Sequence, residues 1–168
     1  MLFFRLKISL LFLTIVCWSC DRLVTDGNIS AKITTASQCK GTSANSFINL
    51  ASAETGKSAG VLYNYNPELE ELSITHLNAA INCCRVAIIT RSVISKDTII
   101  ITQGEKGDAC KCLCLIDIDM TVKGLKRGNY ILKIEELYLG DQAKIVLPIN
   151  LGQTPYGSFF VQRTSYPW

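Results

Sequence analysis

The sequence contains a single histidine, His76, and no GxSxG motif. A Ser-His-Asp hydrolase would have to take its general base from that one residue, without the turn that usually presents the serine. Past Cys20 there is no CxxC, the spacing of thioredoxin-like redox sites. Gly56-Lys57-Ser58 has the end of a phosphate-binding loop, but Ala51 stands where the first glycine belongs and no apolar strand leads in, so it reads as loop. Excess charge is also scarce. The formal net charge is +3, and Arg5 and Lys7 at the amino terminus account for part of it. A chain this close to neutral has no general attraction for nucleic acid or for an anionic membrane surface. Helical periodicity is almost wanting, which argues against a helical bundle. Its best instance, Asn66 to Ala80 with Leu69, Leu72 and Leu77, would replace one strand without changing the fold class.

The amino terminus has the layout of an export signal. Arg5 and Lys7 precede the apolar run Ile8 to Val16, which is too short for a spanning helix of about 20 residues. The run ends at Cys17-Trp18-Ser19-Cys20, and Asp21 to Ser30 turns abruptly polar. Cys20 stands where bacterial lipoproteins carry the cysteine that is lipidated, with Ser19 as the small residue before the cut; Trp18 and Cys17 depart from the usual lipobox. The expected organisation is a signal peptide over 1–19, a lipidated tether over 20–30 and one domain over 31–168. Membrane association would then come from lipid on Cys20, and stable anchoring takes more than one acyl chain.

Cysteine, by contrast, is plentiful: eight in 168 residues, six of them beyond Cys20. In Ala109 to Asp119, Cys110, Cys112 and Cys114 alternate with Lys111, Leu113 and Leu115, and Ile116, Ile118 and Met120 continue the cysteine series. Read as one strand, this segment places three thiols on an apolar face directed at the core. Thiols two residues apart on a strand are about 6.6–6.8 Å apart at Cα, whereas a disulfide wants Cβ atoms within about 4.5 Å. Cys83-Cys84 is a poor internal pair for a different reason, ring strain. The simplest solution pairs each of Cys110, Cys112 and Cys114 with one of Cys39, Cys83 and Cys84, in a connectivity that sequence cannot choose.

Elsewhere short β-branched runs alternate with turn signals. Strands are expected at Ala31–Ala36, Val61–Tyr65, Leu72–His76, Cys83–Thr90, Asp97–Thr102, Asn129–Ile134, Ala143–Leu151 and Ser158–Arg163. Pro148 marks its strand as an edge or a bulged position. Thr42 to Gly60 reads as a long surface loop, and Gln103 to Asp108, with two glycines, as the connection into the cysteine strand. Together these predict an all-β, immunoglobulin-like sandwich stapled by cysteines.

The run His76-Leu77-Asn78-Ala79-Ala80-Ile81-Asn82-Cys83-Cys84, the Cys110-x-Cys112-x-Cys114-Leu115-Ile116-Asp117 run, Gly124-Leu125, Gly128-x-Tyr130 and Cys39-Lys40 together span Cys39 to Ile134. This pattern resembles a group of uncharacterised exported lipoproteins of Bacteroidota-type bacteria. The resemblance implies a surface or periplasmic lipoprotein with a sandwich-like domain, and it implies no activity.

Three chemistries remain for the cysteines. The main expectation is a non-enzymatic envelope lipoprotein, disulfide-stapled and without a cofactor, in the outer membrane or at the cell surface, with an envelope protein or a glycan as partner. The alternative is a zinc or copper module in which His76, Cys83, Cys84 and Cys112 supply ligands. The second alternative is thiol-disulfide redox chemistry, against which stands the expected burial of the thiols on an apolar face. Asp117 and Asp119 share a strand face that would suit a cation or simply water, and the aromatics Tyr156, Phe159, Phe160, Tyr166 and Trp168 crowd the carboxyl end as a closing strand or as an exposed surface.

Overall fold

Alternation of apolar and polar residues builds nine strands within the residues that the computed structural model describes, 29–40 and 57–168. They are β1 (Ser30–Ala36), β2 (Ser58–Asn66), β3 (Glu71–Asn82), β4 (Ala87–Ser95), β5 (Thr98–Lys106), β6 (Leu113–Lys123), β7 (Asn129–Glu135), β8 (Ile145–Asn150) and β9 (Tyr156–Gln162). The expected signal peptide, Cys20 and the tether as far as residue 28 lie outside the described residues, as does most of the Thr42–Gly60 segment. Its last three residues open β2 instead of ending a loop.

The strands form the expected two-sheet sandwich. One sheet has the order β1-β6-β3-β2-β9 and the other β4-β5-β7-β8. All pairs are antiparallel except β5 with β7, because β6, which lies between them in sequence, belongs to the opposite sheet. Pro148 sits on β8, an edge strand, where its missing N–H costs no ladder bond. The core lies between the sheets, where Leu72, Ile74, Ile118 and Met120 from one side meet Ile101 and Ile134 from the other.

Several expected boundaries move. The Asn66–Ala80 stretch is the end of β2, a tight turn and most of β3, with no helix. Cys83 to Val86 is the turn after β3, and β4 begins at Ala87. Gln103 to Lys106 belongs to β5, where Gly104 pairs with Ile89, so of the two glycines only Gly107, with φ 113°, stands in the connection toward the cysteine run. Only Cys114 of the cysteine run lies in a strand; Cys110 and Cys112 precede β6.

A bulge in β3 decides which side chains enter the core. The β3–β6 register shifts between His76 and Ala79, and Asn78 adopts φ 56°, a left-handed conformation that asparagine tolerates better than most residues. Before the bulge the even-numbered Leu72, Ile74 and His76 face the core; beyond it Ala79 and Ile81 do.

Candidate functional site

Where β3 ends, the chain enters a sulfur-rich corner. Lys40 forms a bridge with Leu115, extending β1's side of the sheet along β6 and bringing Cys39 beside Cys114. The disulfides are Cys39–Cys114, Cys83–Cys112 and Cys84–Cys110, with Cα separations of 5.4, 5.5 and 5.8 Å. Each therefore joins the CxCxC run to one of the three other cysteines. Asn82 organises the two adjacent bridges. Its Oδ1 accepts from the N–H groups of Cys84 (2.9 Å) and Cys110 (3.2 Å), its Nδ2 donates to the Cys110 carbonyl (2.8 Å), and its own N–H donates to Glu105 Oε1 (2.6 Å). The other oxygen of Glu105 accepts from Tyr138, whose phenol is held above its ordinary pKa by burial and then by that carboxylate.

The corner is less enclosed than the sequence suggested. None of the six cysteines is buried: Cys39, Cys84 and Cys112 are exposed, and Cys83, Cys110 and Cys114 are half-buried. Arg85 Nη1 lies 3.9 Å from Cys39 Sγ and 3.8 Å from Cys114 Sγ, and 3.1 Å from the Asn82 carbonyl that holds it. The expectation of thiols turned into an apolar face without positive charge nearby is corrected at this bridge.

His76 is elsewhere. It has no exposed surface and faces the opposite sheet. Its Nδ1 lies 2.8 Å from Gln103 Nε2 and 3.1 Å from Gln103 Oε1. Its Nε2 lies 3.5 Å from Glu136 Oε1, an electrostatic contact longer than a good hydrogen bond. Glu136, whose side chain is 3% exposed, is clasped by Arg163 Nη2 at 2.7 and 2.6 Å to its two oxygens. Arg163 also donates from Nη1 to the Ala143 carbonyl at 2.5 Å, and Trp168 covers its guanidinium at 4.8 Å. Burial pushes the Glu136 carboxyl up, but the facing His76 and Arg163 outweigh it and hold the group below its ordinary range. Glu136 also lines a cleft of ≈ 210 Å³ with Lys133, Glu135, Leu139 and Lys144. That is smaller than the roughly 300–1,000 Å³ of ordinary small-molecule sites.

The ligand set of the metal alternative is thus not assembled. His76 is engaged in the core, and the sulfurs that do converge are those of Cys39, Cys83 and Cys114, mutually within 4.8 Å. Zinc and copper bind thiolates, and bridged sulfurs are not thiolates. Asp117 and Asp119 are partly exposed and engaged by protein groups: Lys40 and the Asn78 N–H hold Asp117 Oδ1, while Thr35 and Thr75 donate to the two oxygens of Asp119.

Sequence reasoning missed Asn82, Gln103, Glu136 and Arg163. Arg163 had a signal, since it continues the inward-facing series Phe159, Val161 of β9. Glu136 had none, being one acid among several in a short polar stretch. No family model, curated protein or solved structure matches the chain.

Proposed function

We propose that this is an exported, lipid-anchored component of the bacterial cell envelope, at the outer membrane or cell surface, acting as a non-enzymatic binding or structural module. The observation that carries the proposal is the set of three disulfides. Such bridges persist in oxidising compartments, and the leader ending at Cys20 supplies the route to one. His76 supports a structural role over a catalytic one, because it is sealed between the sheets, with Nδ1 against Gln103 and Nε2 facing Glu136 at 3.5 Å.

The outer face of the β4-β5-β7-β8 sheet is the binding surface in this proposal. Ile89, Val93, Ile131 and Val146 are 42, 46, 39 and 41% exposed there, with Ile100 between them. Arg91 and the Lys133–Glu135 ion pair lie among these aliphatic side chains, and such a mixed face without aromatics suits an envelope protein better than a glycan, whose docking favours aromatic platforms. Neither a cofactor nor nucleic acid is required.

Expression in the presence of labelled fatty acid tests the anchor. Label is expected on the parent and absent from Cys20→Ser, which should also leave the membrane fraction. Label retained by that variant, or a mature terminus at another residue, rules the anchor out.

A further inference from the structure

We infer that the Cys39–Cys114 bridge is a thiol-exchange site, opened by an external dithiol and able to pass the exchange on to the Cys83–Cys112 bridge. Three observations converge on it. Cys39 is exposed, so a thiolate reaches its sulfur. Arg85 stands within 4 Å of both sulfurs of the bridge, and a neighbouring cation stabilises the thiolate that leaves when the bridge opens. Finally, Cys83 Sγ belongs to a second bridge yet lies within 4.8 Å of both Cys39 Sγ and Cys114 Sγ. The Cys84–Cys110 bridge has none of these neighbours in the convergent set and is instead fixed by Asn82 on both flanks.

The chemistry balances without any further reagent. A thiolate of the dithiol attacks Cys39 Sγ; a mixed disulfide forms, the Cys39–Cys114 bond breaks, and the electron pair departs on Cys114 Sγ beside Arg85. The dithiol's second thiolate then attacks the donor sulfur of the mixed disulfide, releasing Cys39 and leaving the donor as a disulfide. The donor has lost two electrons and two protons; the bridge has gained the two electrons, and the protons go to its sulfurs or to solvent. The Cys114 thiolate next attacks Cys83 Sγ, so that a Cys83–Cys114 bond forms as Cys83–Cys112 breaks, and the electron pair leaves on the exposed Cys112. This last step moves no net electrons. It transfers the free thiol from a half-buried position to the surface, where a partner's disulfide reaches it.

The inference goes beyond the proposed envelope role and does not depend on the lipid anchor. It is tested on the purified full-length protein in native buffer, with dithiothreitol as the dithiol. Samples are alkylated at intervals and their cysteine pairings mapped by peptide mass spectrometry. Cys39 and Cys114 are expected to label first, followed by Cys112 together with a new Cys83–Cys114 link, while Cys84–Cys110 stays intact. Arg85→Gln should slow the first step on the order of threefold or more, and Arg85→Lys should restore most of the rate, because a poorer leaving thiolate departs more slowly. Opening of Cys84–Cys110 first, simultaneous opening of all three bridges, or no opening without denaturant overturns the assignment of the site. Cys83 remaining bonded to Cys112, or pairing with Cys39 instead, overturns the exchange step. The order of labelling in the parent decides the matter even if the Arg85 variants fold poorly.

Discussion

The sulfur corner and the ionic centre stand on the same strand, on either side of the Asn78 bulge, and they secure the sandwich in opposite ways. Beyond the bulge, two bridges join the turn after β3 to the approach to β6, and the third joins the segment after β1 to β6 itself. Before it, His76, Gln103, Glu136 and Arg163 join the two sheets through charge and hydrogen bonds in a place from which water is excluded. In the chain-entropy description, a bridge acts largely by restricting the unfolded chain, and its contribution depends on what other links already restrict. A buried ion pair acts on the folded state. Its attraction must offset the desolvation of both charges, so it is far more costly to break than it is useful to possess.

The largest effect should therefore come from breaking the ionic centre on one side only. Glu136→Ala leaves Arg163 buried without its carboxylate and should cost about 3–5 kcal/mol, read as a lower denaturant midpoint at constant slope. Replacing both partners, with Glu136→Leu and Arg163→Met, should cost less than Glu136→Ala alone. The same group sets an acid limit. Its folded pKa lies below the ordinary 4.5, so its contribution is complete above that pH and is lost as pH falls through the folded value. Parent stability should decline on acidification below about 4.5, and Glu136→Gln should flatten that part of the profile. An unchanged profile would show that Glu136 is not ionised in the fold.

The bridges should prove unequal, by a smaller margin. Cys39–Cys114 spans 75 residues, whereas Cys83–Cys112 and Cys84–Cys110 span 29 and 26 and close almost the same loop. With one of that adjacent pair in place, the other closes only a small ring. By the loop-entropy relation, removing Cys39 and Cys114 together costs about 4 kcal/mol, and removing Cys83 and Cys112 together about 2. Paired serine substitutions compared by urea unfolding would measure the difference directly. Equal losses would mean that strain or residual unfolded structure, and not loop closure, governs the corner.

How much of the fold and its corner was legible depended on the range of each interaction. Leu72, Ile74 and His76 shared a face on period-two alternation alone, and the even count of cysteines beyond Cys20 foretold three-against-three bridging. The face switch after His76 was hidden, because the bulge depends on Asn78 taking a positive φ that the surrounding apolar run does not announce. Gln103 was misplaced for a related reason. Gly104 looked like a turn residue, yet it lies in mid-ladder beneath Ile89, whose side chain would be only 2.9 Å from a Cβ there. Glu136 and Arg163 meet across 27 positions of sequence, and no local pattern encodes that encounter.

The smallest expected effect lies where the two regions connect. Trp168 covers Arg163 with its ring at 4.8 Å and donates from Nε1 to the Asn78 carbonyl at 2.8 Å, so one side chain touches both the ionic centre and the bulge. Of the carboxyl-terminal aromatics it is thus a packing residue, whereas Tyr156 and Tyr166 remain 73 and 67% exposed. Trp168→Phe keeps an aromatic face over the guanidinium but forfeits the hydrogen bond, at about 1 kcal/mol. Trp168→Ala forfeits both and should cost about 1–2 kcal/mol. Combined with Glu136→Ala, the Trp168→Ala loss should change, because the ring then covers a guanidinium that has lost its counter-charge; contacting groups are expected to be non-additive. Strict additivity of the two losses would separate the ring from the ionic centre and leave it as a peg for the bulge alone.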